Sequence, residues 1–119
     1  ARALDIDRRS ITSTIDTINK NKFLKDIFSK LNPTCHLKDV ASNLNWGVIE
    51  IIPKDPSKPG ILSEVTSIIA NNNISVRQAI VDDFELNEEP RLFIITEKSI
   101  PGELIPKLKL IKGVKSVLI

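Results

Sequence analysis

The sequence predicts an α+β fold, a four-stranded antiparallel sheet backed by two helices and preceded by short helices. Three observations predict it. From Trp46 onward, β-branched runs alternate with amphipathic stretches in the order strand, helix, strand, strand, helix, strand. Pro-Gly pairs, Pro59-Gly60 and Pro101-Gly102, stand where each of the two helices should open. The 119 residues, 41% hydrophobic and 27% charged, have the balance of one small globular domain with a short attached element, too apolar for a disordered chain.

The elements follow in order. Ile11, Ile15 and Ile18 have helical spacing, and Asp7 before them is a suitable N-cap, its carboxylate accepting from free N–H groups of the first turn. With Ala3, Leu4 and Ile6 ahead of a break at Asp5-Ile6-Asp7, residues 1–19 read as helix, tight turn, helix. Two further amphipathic segments follow, separated by Asn32-Pro33. One carries Phe23, Leu24, Ile27, Phe28 and Leu31, the other Leu37, Val40, Ala41 and Leu44. Each has one apolar stripe that needs covering, so both are expected to be connector helices docked on the sheet or on a partner subunit. Residues 1–45 form this helical region and residues 46–119 the sheet domain.

Gly47 to Ile52 is the first strand, ending at Pro53, which cannot continue a ladder. After a loop over Lys54 to Lys58, a helix presents Ile61, Leu62, Val65, Ile68 and Ile69 as one stripe and closes in Asn71-Asn72-Asn73. Asn73 suits the closing position because asparagine tolerates the left-handed conformation. Ile74 to Val81 is the second strand, with Ile74, Val76 and Ile80 on one face, and an acidic loop over Asp82 to Pro90 returns the chain. Arg91 to Glu97 follows, its Leu92-Phe93-Ile94-Ile95 apolar on both faces like a central, covered strand. The last helix places Leu104, Ile105, Leu108 and Ile111 inward. Pro106 is tolerated there because first-turn N–H groups have no intrahelical acceptor to lose. Lys112-Gly113 ends it, and Val114 to Ile119 is the final strand.

Two right-handed crossovers of this kind put both helices on one sheet face. Each buried Ile or Leu there contributes about 1.5–3 kcal/mol, which offsets much of the ordering entropy of so short a module. The other sheet face is expected to remain apolar and exposed, calling for a partner there or along the sheet edge.

Composition excludes several classes. No apolar run approaches the roughly 20 residues of a membrane span, and no signal-peptide pattern opens the chain, so a cytoplasmic protein with no membrane partner is expected. The lone Cys35 can form no intrachain disulfide, and with His36 it makes at most half of a metal site. No metal or cofactor is expected, and Cys35 reads as a buried or half-buried small residue. Catalysis needs grouped His, Cys or carboxylates, and the single His36 has no orienting partner in the sequence, so the chain reads as a non-enzyme. Lys and Arg outnumber Asp and Glu 8 to 5 through Trp46 but are outnumbered 10 to 9 after it, so any anionic partner belongs to the first part.

Asp55, Pro59-Gly60-Ile61-Leu62 and Ile74-Ser75-Val76, in this order of elements, resemble the ACT domain family from about Trp46 to Ile119. Adding Leu4-Asp5-Ile6-Asp7-Arg8-Arg9, Ser75 to Ile80 and Pro101 to Leu104, the chain is similar to archaeal regulators of amino-acid metabolism in which a helix-turn-helix precedes an ACT domain. The resemblance implies a ferredoxin-like βαββαβ domain that binds a small molecule, commonly an amino acid, as a homodimer or higher even oligomer. It places the ligand site at Asp55, Pro59, Gly60, Ile61, Leu62, Ile74 and Ser75. Helix N–H groups behind Gly60 suit a carboxylate, and Asp55 suits an ammonium. Ser75 stands where amino-acid-binding members often carry Asn, and Pro56-Ser57-Lys58 lengthen the spacer before Pro59, two departures that bear on specificity.

The same resemblance makes the first residues part of a helix-turn-helix with Arg8, Arg9, Thr12 and Ser13 at the exposed head of the recognition helix, where they reach base edges and phosphates. Such a domain needs another helix before the pair. A chain starting at Ala1 is then expected to be a piece of a longer regulator and to bind DNA poorly by itself. The alternative is an ACT-type regulatory subunit that docks onto an amino-acid biosynthetic enzyme through its N-terminal helices.

Overall fold

The computed structural model describes residues 7–119, and the chain divides between Cys35 and His36 into two compact units. In the first, α1 (Arg8–Lys20) and α2 (Lys22–Lys30) pack against each other. Asp7 caps α1 as expected, its Oδ1 accepting from the Arg9 N–H at 3.0 Å. Asn21 serves both helices: its N–H donates to the Ile18 carbonyl, and its Oδ1 accepts from the N–H groups of Phe23 and Leu24. One residue thus closes one helix and opens the next, so the connection is a single residue. Neither helix holds a buried residue, and Phe23 and Leu31 are 72% and 62% exposed. The helix and turn expected over Ala1 to Ile6 lie outside the described residues. Cys35, expected at least half-buried, is exposed.

The second unit is a ferredoxin-like α+β domain. Strands β1 (Gly47–Pro53), β2 (Val76–Val81), β3 (Leu92–Thr96) and β4 (Val114–Leu118) form one sheet in the order β2-β3-β1-β4 with every neighbouring pair antiparallel. Helices α3 (Ile61–Asn71) and α4 (Leu104–Lys109) lie on one face. Ile49, Ile51, Leu92, Ile94 and Val114 of the sheet meet Val65, Ile69, Leu104, Leu108 and Ile111 there, the helix-side core that the apolar periodicities predict. Pro106 falls in the first turn of α4, and Asn73 adopts φ 54° to end α3.

Two expectations fail in instructive ways. Ile74 and Ile80 do not share a face, because the β2–β3 register shifts between Val76 and Gln78. An extra residue at Arg77 inverts the alternation, so Ile74 joins the helix-side core while Ile80 packs on the opposite face. The second failure concerns that opposite face, which is not left exposed. Residues 38–44 form no connector α-helix but two short 3₁₀ turns, Lys38–Val40 and Ser42–Leu44, ended by Asn45 at φ 59°. They lay Ala41, fully buried, against Phe93 and Ile95, with Trp46, Val48 and Ile80 around them.

Polar contacts hold this strap in place. The Leu37 N–H donates to Gln78 Oε1 at 2.9 Å, the His36 ring meets the Phe93 ring edge-on at 4.8 Å, and the Arg77 guanidinium lies 4.9 Å from the Trp46 ring centre. Glu50, from β1 on the same face, pairs with Lys38 and Arg91, each at 3.3 Å.

Candidate functional site: a cavity at the head of the third helix

Three aliphatic side chains come into line across the sheet. Val81 of β2 pairs with Leu92 of β3, which pairs with Ile51 of β1, so one rung runs over three strands on the helix side. The first turn of α3 stands beside that rung. Gly60 takes φ 109°, a left-handed conformation that only glycine adopts without strain, and turns the chain from the Pro56–Pro59 loop into the helix. Gly113, at φ 94°, lies beside the Ile61 side chain on the other flank. Between rung and helix lies a cavity of about 210 Å³, lined by Ile51, Pro53, Pro56, Lys58, Pro59, Gly60, Ile61, Leu62, Val81, Asp82, Pro90, Arg91 and Leu92.

The head of α3 has no side-chain cap, unlike α1 and α2, which are capped by Asp7 and Asn21. The first N–H groups of a helix have no intrahelical acceptor and carry a partial positive charge. A Cβ built on Gly60 would meet nothing within 4 Å, so the backbone there is open to approach.

The expected site residues divide into two groups. Pro59, Gly60, Ile61 and Leu62 come together on the cavity wall. Asp55 does not line it. Its Oδ1 accepts from the Ser57 hydroxyl at 2.6 Å and the Ser57 N–H at 3.0 Å, and these bonds, with Lys58 nearby, hold its carboxyl below the usual carboxylate range. Ile74 is buried in the helix-side core, and Ser75 exchanges hydrogen bonds with Glu97, which donates its N–H to the Ser75 carbonyl and accepts the Ser75 N–H on Oε1. Both lie at the other end of the sheet, roughly 16 Å along the strand from Leu92 to Glu97 at about 3.3 Å per residue. Within one chain they do not reach the cavity.

Sequence reasoning missed Pro53, Pro56 and Lys58 in the neighbouring loop, and it missed Ile51, Val81, Asp82, Pro90, Arg91 and Leu92, which come from strands and a hairpin distant in sequence. The signal was partial: the acidic loop marked the hairpin, but only the strand register aligns Val81, Leu92 and Ile51.

A second hollow, about 480 Å³, lies among Ile52, Pro53, Pro56, Glu88, Glu89, Pro90, Arg91, Lys115 and Ser116. Its charges are mixed in sign, and Arg91 is already engaged by Glu50 at 3.3 Å and Glu89 at 3.7 Å. No group of three or more His, Cys, Asp or Glu able to hold a metal occurs among the described residues, and no described helix is long and apolar enough to cross a membrane. On α1, Arg8, Arg9, Thr12 and Ser13 are all exposed. Arg8 and Thr12, and likewise Arg9 and Ser13, are neighbours one turn apart, and the Thr12 hydroxyl donates to the Arg8 carbonyl at 3.0 Å.

The βαββαβ sheet thus carries a largely aliphatic cavity beside an uncapped helix head. The ACT domain family matches residues 56–109, from the loop before α3 to the last residue of α4. No curated protein is significantly similar to the chain in sequence.

Proposed function

We propose that residues 46–119 form an ACT domain that senses an amino acid as a homodimer, within a cytoplasmic, non-enzymatic regulator of amino-acid metabolism whose full-length form reads DNA through a helix-turn-helix. The observation that carries the reading is the cavity beside Gly60, where the uncapped head of α3 borders a space of amino-acid size. In a two-fold pair joined along the β2 edge, Ser75 joins the site from a second copy, which reconciles its distance from Gly60 with a role in binding.

Calorimetric titration of the protein with each common amino acid, together with sedimentation with and without ligand, tests this. Saturable binding by a dimer is expected, and a monomer silent to every amino acid overturns the reading. The DNA arm is tested on the full-length protein by mobility shift at several salt concentrations. Arg8→Ala and Arg9→Ala should weaken binding and flatten its salt dependence by roughly one phosphate contact each.

A second reading is supported by the apolar stripe on α1 and α2, where Ile15, Phe23, Phe28 and Leu31 stay exposed. The helical pair then docks onto a partner enzyme that the ACT domain regulates. Co-purification of such an enzyme, with no DNA affinity in the full-length protein, favours it.

A further inference from the structure

The cavity's composition says more than that a ligand fits. We infer that it takes an α-amino acid with a branched aliphatic side chain and that Asp82 supplies the counter-charge to the ligand's ammonium group, an inference that rests on the sensor reading above. Its floor is the rung Val81, Leu92 and Ile51, and Ile61 and Leu62 stand on the helix side, so five aliphatic residues line a cavity that is open on one side, where Val81 is 60% exposed. A hydroxyl or charge on a ligand side chain laid against these five residues would be desolvated without a partner, which disfavours polar amino acids. The volume of about 210 Å³ is below the roughly 300 Å³ at which sites for drug-sized molecules begin, so a single small molecule fits better than a nucleotide.

Three charged residues stand on the lining: Lys58, Asp82 and Arg91. Arg91 directs its guanidinium to Glu50 and Glu89. Lys58 and Asp82 remain, one of each sign, matching the two ends of a zwitterion. Among the described residues, Asp82 is the one acidic residue of the lining. It is fixed at the end of the hairpin, where its N–H donates to the Arg91 carbonyl at 3.0 Å and its Oδ2 accepts from the Arg91 N–H at 3.2 Å. A carboxylate has about four acceptor positions, so a ligand ammonium can be bound without breaking that bond. Asp55, held by Ser57 outside the lining, is not needed for this role.

The test is calorimetry on the whole 119-residue chain with leucine, isoleucine, valine, serine, aspartate and lysine, and with 4-methylpentanoate, which is leucine without its ammonium group. The branched aliphatic amino acids should bind at least about tenfold more tightly than the polar ones. Asp82→Asn keeps an acceptor for the Arg91 N–H but removes the charge. It should weaken leucine about tenfold and leave 4-methylpentanoate unchanged, with thermal melting checking that the variant is folded. Should the variant not fold, the wild type decides: equal affinity for leucine and 4-methylpentanoate overturns the role of Asp82. Preference for a polar amino acid overturns the inference and leaves the sensor reading standing, whereas silence toward every amino acid overturns both.

Discussion

The Leu37 N–H donates to the side-chain Oε1 of Gln78 at 2.9 Å, tying the strap before β1 to the edge strand β2. This bond fixes residues 37–46 over Phe93 and Ile95, the sheet face away from the helices. Gln78→Leu leaves the part-buried N–H of Leu37 without that acceptor and should cost about 1–2 kcal/mol of stability by urea denaturation. Hydrogen exchange at Leu37 should accelerate more than exchange at Ile94 in the same variant.

The helix-side core sets the scale for larger losses. Ile94 and Leu104 are fully buried in one core cluster, whereas Leu110, one residue past α4, is 85% exposed. Leu104→Ala should destabilise by about 2–5 kcal/mol, and Leu110→Ala by no more than about 0.5 kcal/mol, both measured by thermal melting.

Gly47 and Gly60 resist substitution for different reasons. A Cβ on Gly47 would sit 2.5 Å from Thr96 Oγ1 and 2.6 Å from the Lys98 carbonyl oxygen, while a Cβ on Gly60 meets nothing but is strained by φ 109°. Gly47→Ala should therefore cost about 1–3 kcal/mol through overpacking. Gly60→Ala should cost about 1–2 kcal/mol through backbone strain. Gly60→Asn should recover part of the second loss and Gly47→Asn none of the first, because asparagine relieves a left-handed backbone but not a steric clash.

Asp55 provides the pH test. Its two bonds from Ser57 favour the charged carboxylate, so its folded-state pKa is depressed, and the loop's stabilisation is present at neutral pH and lost only as acid carries it below the ordinary carboxylate range. An NMR titration should place the Asp55 midpoint below that of free aspartate. Ser57→Ala should raise it, since the hydroxyl is the largest cause of the depression.

Much of the fold is legible in the sequence because its signals are local. Asp7 caps, Asn73 turns left-handed, Pro106 falls in a first turn, and the stripe of Val65 and Ile69 faces a sheet, each from chemistry within a few residues. Pro59 to Leu62, four of the cavity's thirteen lining residues, are legible for the same reason, since they are contiguous.

What sequence could not supply are the relations between distant strands. The extra residue at Arg77 sends Ile74 and Ile80 to opposite faces, and the polar pair Arg77-Gln78 in the alternation does not by itself place a bulge. The strap became two 3₁₀ turns rather than a helix because Ala41 had to lie against Phe93 and Ile95, a demand made by tertiary contact that overrides the amphipathic pattern. Sequence by itself determined the order and kind of elements, through propensity and periodicity. Only the folded sheet decided that Val81, Leu92 and Ile51 share a rung under Gly60 and that Ser75 stands at the far end, because pairing register is a property of two strands together.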